Sequence, residues 1–150
     1  MVGKILFVCT GNTCRSCMAE AIAKSESKAM GLDIEFSSAG IYAIKGSSAS
    51  YNASKVMEEM GYDLSCHISI PLNLEITEDS ELILTMTESH KKAVINAFPS
   101  ASKKVFTLME YIGEQSDIED PFGGDISTYR GISLALRSSI NKLLLIIRES

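Results

Sequence analysis

Short apolar runs and helix-type patterns alternate along this chain of 150 residues. Runs rich in apolar residues predict four β-strands, at 4–8, 33–38, 81–85 and 104–107. Apolar residues spaced three and four positions apart predict helices between and after them, at 16–30, 50–60, 89–97 and 125–147, with a short helix beginning at Glu110. The last helix carries an apolar face that we expect to point inward, formed by Ile132, Leu136, Ile140, Leu143, Leu144 and Ile147.

The boundaries of these elements follow from residues that end helices. Gly31 and Gly61 follow two of the helical patterns, as C-terminal glycines do, and Pro99 follows a third. Ala39-Gly40 predicts a turn after the second strand. Strands that alternate with helices in this way predict an α/β fold, a three-layer sandwich whose central parallel sheet has helices on both faces. With no internal repeat and no linker, residues 1–150 are predicted to form one domain.

Composition narrows the range of functions. The formal charge of −5 disfavours nucleic acid as a partner, and 45% hydrophobic with 22% charged residues is ordinary for a globular protein. The N-terminal residues lack the charged-then-apolar pattern of a secretion signal, and the apolar runs, including 143–147, are too short to span a bilayer. We therefore expect a cytoplasmic protein with no membrane partner.

Candidate chemistry lies directly after the first strand. The strand ends at Cys9, a short turn with Gly11 and Asn12 follows, and Arg15 and Ser16 open the next helix. In a strand–loop–helix unit, the loop amides and the helix N-terminus attract an anion, and the same field favours a thiolate. Cys9 is therefore predicted to be a nucleophile beneath a bound phosphate, with the Arg15 guanidinium holding two phosphate oxygens. The alternative is an ordinary turn with a buried cysteine.

A second candidate lies just before the last helix. A thiolate that cleaves a phosphate ester needs a proton donor for the leaving atom, and a loop carboxyl can supply it. Asp120 is preferred over Asp117, Glu119 and Asp125 because it alone precedes a proline, Pro121. The alternative is a helix-entry loop in which these residues only make a turn.

Together, the segment Cys9-Thr10-Gly11-Asn12-Thr13-Cys14-Arg15-Ser16 and the pair Asp120-Pro121 resemble the low-molecular-weight protein tyrosine phosphatase family. The resemblance covers essentially the whole chain and implies a four-stranded parallel sheet of order 2-1-3-4. It implies hydrolysis of phosphorylated proteins or peptides through a phosphocysteine on Cys9, with Arg15 as phosphate clamp and Asp120 as general acid. It implies no metal or other cofactor, and inorganic phosphate or vanadate as ligands of the site.

The resemblance also implies roles for residues around the reacting groups. The loop residues that would bind phosphate are Thr10, Gly11, Asn12, Thr13, Cys14, Arg15 and Ser16. Asn12 and Ser16 would shape the loop and hydrogen-bond the thiolate, and Ser38 and His67 would brace Asn12. Tyr42 and Phe122 would form aromatic walls at the pocket mouth. For Ser38, His67 and Tyr42, ordinary structural roles stay open as alternatives.

Thr13 bears on substrate specificity. Tyrosine-directed members of the family usually carry a bulky aliphatic residue there, whereas this loop and the segment 120–124 resemble the bacterial protein arginine phosphatase subgroup. A hydroxyl at this position can accept a hydrogen bond from a guanidinium, so we expect phosphoarginine rather than phosphotyrosine as the substrate. A tyrosine phosphatase proper is the first alternative, and a thiol redox sensor or a phosphate-binding module without hydrolysis is the second.

The four cysteines, Cys9, Cys14, Cys17 and Cys66, do not predict a disulfide framework. A zinc site that includes Cys66 is disfavoured because the spacings do not match a usual zinc pattern. Cys14 lies in the same loop as Cys9, so a reversible disulfide between them under peroxide is expected to protect the nucleophile. Cys17 stands where the family usually has proline, and it is a candidate competing partner for that disulfide.

Overall fold

A four-stranded, all-parallel β-sheet occupies the centre of the molecule in the computed structural model, which describes residues 2–150. The strands are β1 (Lys4–Cys9), β2 (Glu35–Gly40), β3 (Leu82–Thr85) and β4 (Val105–Thr107). Their order is β2-β1-β3-β4, so β1 lies inside the sheet and pairs with β2 and β3. The parallel sheet and its predicted strand order are confirmed.

Helices cover both faces of this sheet. They are α1 (Arg15–Ala29), α2 (Tyr51–Glu59), α3 (Leu74–Asp79), α4 (Glu88–Ala97), α5 (Leu108–Tyr111) and α6 (Ile126–Glu149), with a 3₁₀ helix at Pro99–Lys104. Side chains of β1 alternate between two apolar cores because successive strand residues point to opposite faces. Ile5 and Phe7 join the core under α1, α2 and α6, while Leu6 and Val8 join the core on the α4 face.

The inward face of the last helix is as the sequence predicts. All six apolar residues expected to point inward are buried: Ile132, Leu136, Ile140, Leu143, Leu144 and Ile147. The helix begins after Asp125, whose side chain accepts a hydrogen bond from the Thr128 amide as an N-cap. None of the helices within the described residues is both long enough and apolar enough to cross a membrane.

One expectation about local structure is wrong, and one helix was not expected. The predicted turn at Ala39-Gly40 is the end of β2, where the two residues pair with Val8 and Cys9 of β1. The parallel pairing of β2 with β1 continues to Cys9, the last residue of β1, and this pairing outweighs the preference of Gly40 for a turn. Helix α3 was not predicted, because its six residues are too few to show a helical period. Asn73 caps it by accepting a hydrogen bond from the Ile76 amide.

Candidate active site

The loop between β1 and α1 is held by backbone hydrogen bonds from the chain that follows β2. The amides of Ile41 and Tyr42 donate to the carbonyl oxygens of Cys9 and Thr10 at 3.0 and 2.9 Å, and the Ser50 amide donates to the Thr13 carbonyl at 2.9 Å. None of these three bonds uses an amide of the loop as its donor. The loop leads into the N-terminus of α1, a position that favours a bound anion.

Gly40 allows this close approach. A Cβ atom on Gly40 would lie 2.6 Å from the Thr10 carbonyl oxygen and 2.9 Å from the Asn12 amide nitrogen. Both distances are far inside van der Waals contact, and both partners are backbone atoms of the loop. Gly40 is therefore required by the shape of the β1–α1 loop and not by a turn of its own.

Asn12 organises the loop from within. Its backbone is in the left-handed region, with φ of 57°, which asparagine tolerates better than most residues. Its side-chain amide nitrogen donates to the hydroxyls of Ser16 and Ser38 at 2.9 and 2.8 Å, and its side-chain oxygen accepts from the Ile70 amide at 2.9 Å. The Nε2–H of His67 donates to the Asn12 carbonyl at 2.6 Å. The structure thus brings Ser16, Ser38 and His67 together around Asn12.

Cys9 lies at the base of the loop, with its sulfur buried beside the first turn of α1. Its Sγ is 2.9 Å from the Ser16 Oγ. Because that hydroxyl already accepts a hydrogen bond from Asn12, its own proton is available to the sulfur. A hydroxyl that donates to sulfur stabilises the thiolate over the thiol.

Arg15 is buried and fixed at both arms of its guanidinium. Its Nη1 donates to the Ile118 carbonyl at 2.9 Å, and its Nη2 lies 3.6 Å from Oδ2 of Asp120. The Asp120 side chain is 54% exposed, so this ion pair lies at the mouth of the site and adds little to stability. It does join the segment that carries Asp120 to the β1–α1 loop.

A cavity of about 270 Å³ opens above the loop. Its lining consists of Cys9, Thr10, Gly11, Thr13, Cys14, Arg15, Asp120 and Phe122. Phe122 is 83% exposed at its edge. Tyr42, which was expected to be a second aromatic wall, is 78% exposed and does not contribute to this lining.

Three polar residues near the loop were not predicted. His90, on α4, places Nε2 2.8 Å from the Thr10 hydroxyl, and burial together with the nearby Arg15 charge lowers the pKa of His90 to about 4. Glu20 accepts a hydrogen bond from Ser38. Tyr129 has its hydroxyl 3.4 Å from the Cys14 sulfur, and burial, followed by this hydrogen bond, raises its pKa to about 12.

A sequence indication existed for only one of these residues. His90 follows β3 by five positions, and the carboxyl ends of β1 and β3 meet at one edge of the sheet. Glu20 and Tyr129 lie inside ordinary helical patterns, so nothing in the sequence distinguishes them from surface or core positions.

All four cysteines are free thiols, three of them buried and Cys66 exposed. Cys17 donates to the Cys14 carbonyl at 3.2 Å, and burial, with the adjacent Cys9 as a smaller cause, raises the pKa of Cys17 well above its ordinary value. Across residues 2–150, no three or more His, Cys, Asp or Glu side chains are grouped so that they could hold a metal ion. The site brings a cysteine sulfur, a guanidinium and a carboxyl together around one cavity.

Comparisons with known proteins agree with this arrangement. The model of the family described as low molecular weight phosphotyrosine protein phosphatase matches residues 4–150. A protein-arginine-phosphatase of Bacillus subtilis is 44% identical over 127 residues, which cover 84% of each chain. The low molecular weight protein-tyrosine-phosphatase PtpB of Staphylococcus haemolyticus is 41% identical over 140 residues, covering 93% of this chain and 96% of the relative.

Solved structures give the same picture. A mutant of the YwlE arginine phosphatase with a phosphorylated active-site serine superposes with a TM-score of 0.96 at 38% identity, covering 98% of this chain and 97% of that chain. The YwlE arginine phosphatase from Geobacillus stearothermophilus superposes with a TM-score of 0.92 at 40% identity, covering 98% and 94%.

Proposed function

This chain belongs to the low molecular weight phosphotyrosine protein phosphatase family and is a cysteine-dependent phosphatase, and we propose that its substrates are proteins phosphorylated on arginine. The observation that carries the proposal is Thr13, a small polar residue in the lining of the pocket. The similarity to protein-arginine-phosphatases of Bacillus subtilis and Geobacillus stearothermophilus, at 44% and 41% identity, supports it.

The proposed reaction has two steps. The Cys9 thiolate attacks phosphorus, so that a sulfur–phosphorus bond forms while the phosphorus–nitrogen bond of phosphoarginine breaks. Asp120 gives its proton to the leaving guanidine nitrogen, and the loop amides with Arg15 hold the negative charge of the phosphoryl group. Water then attacks phosphorus while Asp120 accepts a proton from that water, and the sulfur–phosphorus bond breaks, which releases inorganic phosphate and restores the Cys9 thiolate.

Supporting roles follow from the contacts around these groups. Asn12, braced by Ser38 and His67, fixes the loop, and Ser16 stabilises the leaving thiolate in the second step. Inorganic phosphate and vanadate are proposed to bind the same loop, because both present oxygens to the loop amides.

The case for phosphoarginine rests on the chemistry of a guanidinium. A phosphorylated guanidinium carries several N–H donors and no aromatic ring, so it needs acceptors along the pocket. Thr13 offers a hydroxyl oxygen in the lining of the cavity, beside the carboxyl of Asp120. A bulky aliphatic residue in place of Thr13 would remove one acceptor and narrow the pocket.

Variants of Thr13 test the proposal through a ratio of activities. Thr13→Ile is expected to lower the kcat/KM for a phosphoarginine peptide relative to a phosphotyrosine peptide by about 10-fold, the worth of one hydrogen bond. Thr13→Val, which keeps the shape without the hydroxyl, should act in the same direction, and Thr13→Ser should keep the original ratio. A ratio that stays fixed in all three variants would contradict the proposed specificity.

A tyrosine phosphatase is the second candidate, and Phe122 is the observation that favours it. Its exposed ring at the edge of the cavity could stack on a phenyl leaving group. The similarity to PtpB proteins points the same way. The activity ratio of the unmodified protein on the two peptides decides between these candidates.

We also propose that Cys9 and Cys14 form a reversible disulfide under peroxide. Both sulfurs are free and both line the same cavity. Oxidation of Cys9 to a sulfenic acid, followed by attack of the Cys14 thiolate with release of water, would give the disulfide and prevent further oxidation. The cytoplasmic location stays a prediction from the sequence.

A further inference from the structure

The hydroxyl of Thr10 joins the catalytic pocket to helix α4. Thr10 directly follows the nucleophile in sequence and contributes to the lining of the cavity. Its Oγ1 is 2.8 Å from Nε2 of His90, a residue eighty positions away that is itself buried. This contact lies on the opposite side of the loop from the Asn12 network.

The unpaired atom of His90 indicates the direction of this hydrogen bond. Within residues 2–150, the buried Nδ1 of His90 has no hydrogen-bond partner. A neutral imidazole carries one proton, and a buried N–H without a partner is rarer in native structures than an unpaired acceptor. The favoured tautomer therefore has its proton on Nε2, which donates to Thr10, and an unpaired lone pair on Nδ1.

The imidazole is neutral at pH 7. Burial and the positive charge of Arg15 lower the pKa of His90 to about 4, although the carboxylates of Asp117 and Asp120 act in the opposite direction. A neutral ring with Nε2–H leaves Thr10 as the acceptor in this contact. The proton of the Thr10 hydroxyl is then free for a second acceptor.

We propose that the Thr10 hydroxyl donates a hydrogen bond to an oxygen of the transferred phosphoryl group, and that His90 is a positioning residue that aims this hydroxyl. The phosphoryl group presents only acceptors, and its charge is spread over three oxygens in the transition state. Thr10 therefore adds a side-chain donor to those supplied by the loop amides and Arg15.

This role differs from that of Thr13 in a measurable way. A donor to the phosphoryl oxygens acts on every phosphorylated substrate, because the transferred group is always the same. The inference rests on the phosphatase activity and not on the choice between phosphoarginine and phosphotyrosine. Para-nitrophenyl phosphate is therefore a sufficient substrate for its test, and that test leaves the Thr13 proposal untouched.

The experiment compares variants at both ends of the contact. Thr10→Val is expected to lower kcat/KM for para-nitrophenyl phosphate by about 10- to 100-fold, while Thr10→Ser stays within a few-fold of the unmodified protein. His90→Phe should cause a similar loss, and His90→Gln, which keeps a donor near the Nε2 position, should restore most of it. The double variant Thr10→Val/His90→Phe should be no worse than the worse single variant, because both remove the same interaction.

Several results would overturn the proposal. A Thr10→Val variant with kcat/KM within twofold of the unmodified protein would exclude the phosphoryl contact. Losses that multiply in the double variant would assign His90 an independent structural role. Because His90→Phe could fail to fold, nitrogen NMR of the unmodified protein at neutral pH supplies a separate test. A proton found on Nδ1 of His90 instead of Nε2 would contradict the assigned hydrogen bond.

Discussion

His90 makes the folding stability of this protein depend on pH in a window where few other groups titrate. Its pKa in the folded protein is lowered from 6.5 to about 4 by burial and by the Arg15 charge. In the unfolded chain the imidazole titrates near its ordinary value. As the pH falls below about 6.5, His90 therefore binds a proton in the unfolded state but not in the folded state, and the free energy of unfolding decreases.

The size of this effect follows from the two pKa values. A pKa of about 4 in the folded protein against 6.5 in the unfolded chain corresponds to about 3 kcal/mol when the pH falls through the whole window. Between pH 7 and pH 5 the expected loss of unfolding free energy from His90 alone is roughly 2 kcal/mol. Below about pH 4 the folded protein also binds the proton, and His90 adds no further loss.

Urea denaturation of the unmodified protein and of His90→Gln, each at pH 7 and pH 5, measures this contribution. Glutamine does not titrate, and all other ionisable groups, including the single remaining histidine, are common to both proteins. Their contributions cancel when the two proteins are compared at each pH. On going from pH 7 to pH 5, the unmodified protein should therefore lose roughly 2 kcal/mol more unfolding free energy than His90→Gln does.

The outcome that refutes this reasoning is a difference between the two proteins that stays the same at both pH values. It would show that His90 titrates alike in the folded and unfolded states, which contradicts its burial beside a guanidinium. A difference that moves in the opposite direction would show that the imidazole is protonated in the folded protein. Either result would also remove the basis for a neutral hydrogen-bond partner of Thr10.

Three further predictions address the loop and the reacting groups. Gly40→Ala should reduce stability by about 1–3 kcal/mol and lower activity, because its methyl group would overlap the loop backbone. Gly131→Ala inside α6, with open space around it, should leave activity unchanged and raise stability by about 0.5–1 kcal/mol in urea denaturation. Asp120→Asn should lower kcat by about 10² to 10⁴ in steady-state assays, and unchanged turnover would exclude Asp120 as general acid. After peroxide treatment, mass spectrometry should find a Cys9–Cys14 disulfide, and a Cys9 sulfonic acid without that link would contradict the protective role.

Two of the three proposed reacting groups could be predicted from the sequence because they lie close together along it. Cys9 and Arg15 lie six positions apart between a strand and a helix, and the chemistry of an anion cradle explains both residue types. Asp120 could be predicted because it is the carboxyl of its segment that directly precedes a proline. The structure then places the three around one cavity, which a local pattern alone could not establish.

Gly40 is a position where the sequence correctly indicates a structural need for glycine but suggests the wrong reason for it. A glycine after a strand usually indicates a turn, and a turn was predicted here. Gly40 instead lies in β2, and its missing side chain makes room for the Thr10 carbonyl of another segment. A close approach between segments thirty positions apart leaves no local mark, so sequence reasoning cannot separate it from an ordinary turn.

The fold determines which distant residues can reach the loop. Because β1 lies between β2 and β3, the loop that follows β1 meets the chain after β2 on one side and the chain after β3 on the other. The first neighbour supplies the amides of Ile41 and Tyr42 that fix the loop backbone. The second supplies His90, which contacts Thr10. Strand order therefore determines the source of each contact, and a different order would place other elements at the pocket.

Arg15 links this edge of the sheet to the segment that carries Asp120, the proposed general acid. The Ile118 amide donates to the Met86 carbonyl just after β3 at 2.9 Å, and the Ile118 carbonyl accepts from Arg15 Nη1 at 2.9 Å. The segment that carries Asp120 is thus fixed to the sheet and to Arg15 at a point two residues before the carboxyl. Because Nη1 is engaged by Ile118, the remaining N–H groups of the guanidinium are the ones available to the phosphoryl oxygens. In the proposed mechanism Nη2 turns toward the phosphoryl oxygens, and its ion pair with Asp120, at 3.6 Å, is broken.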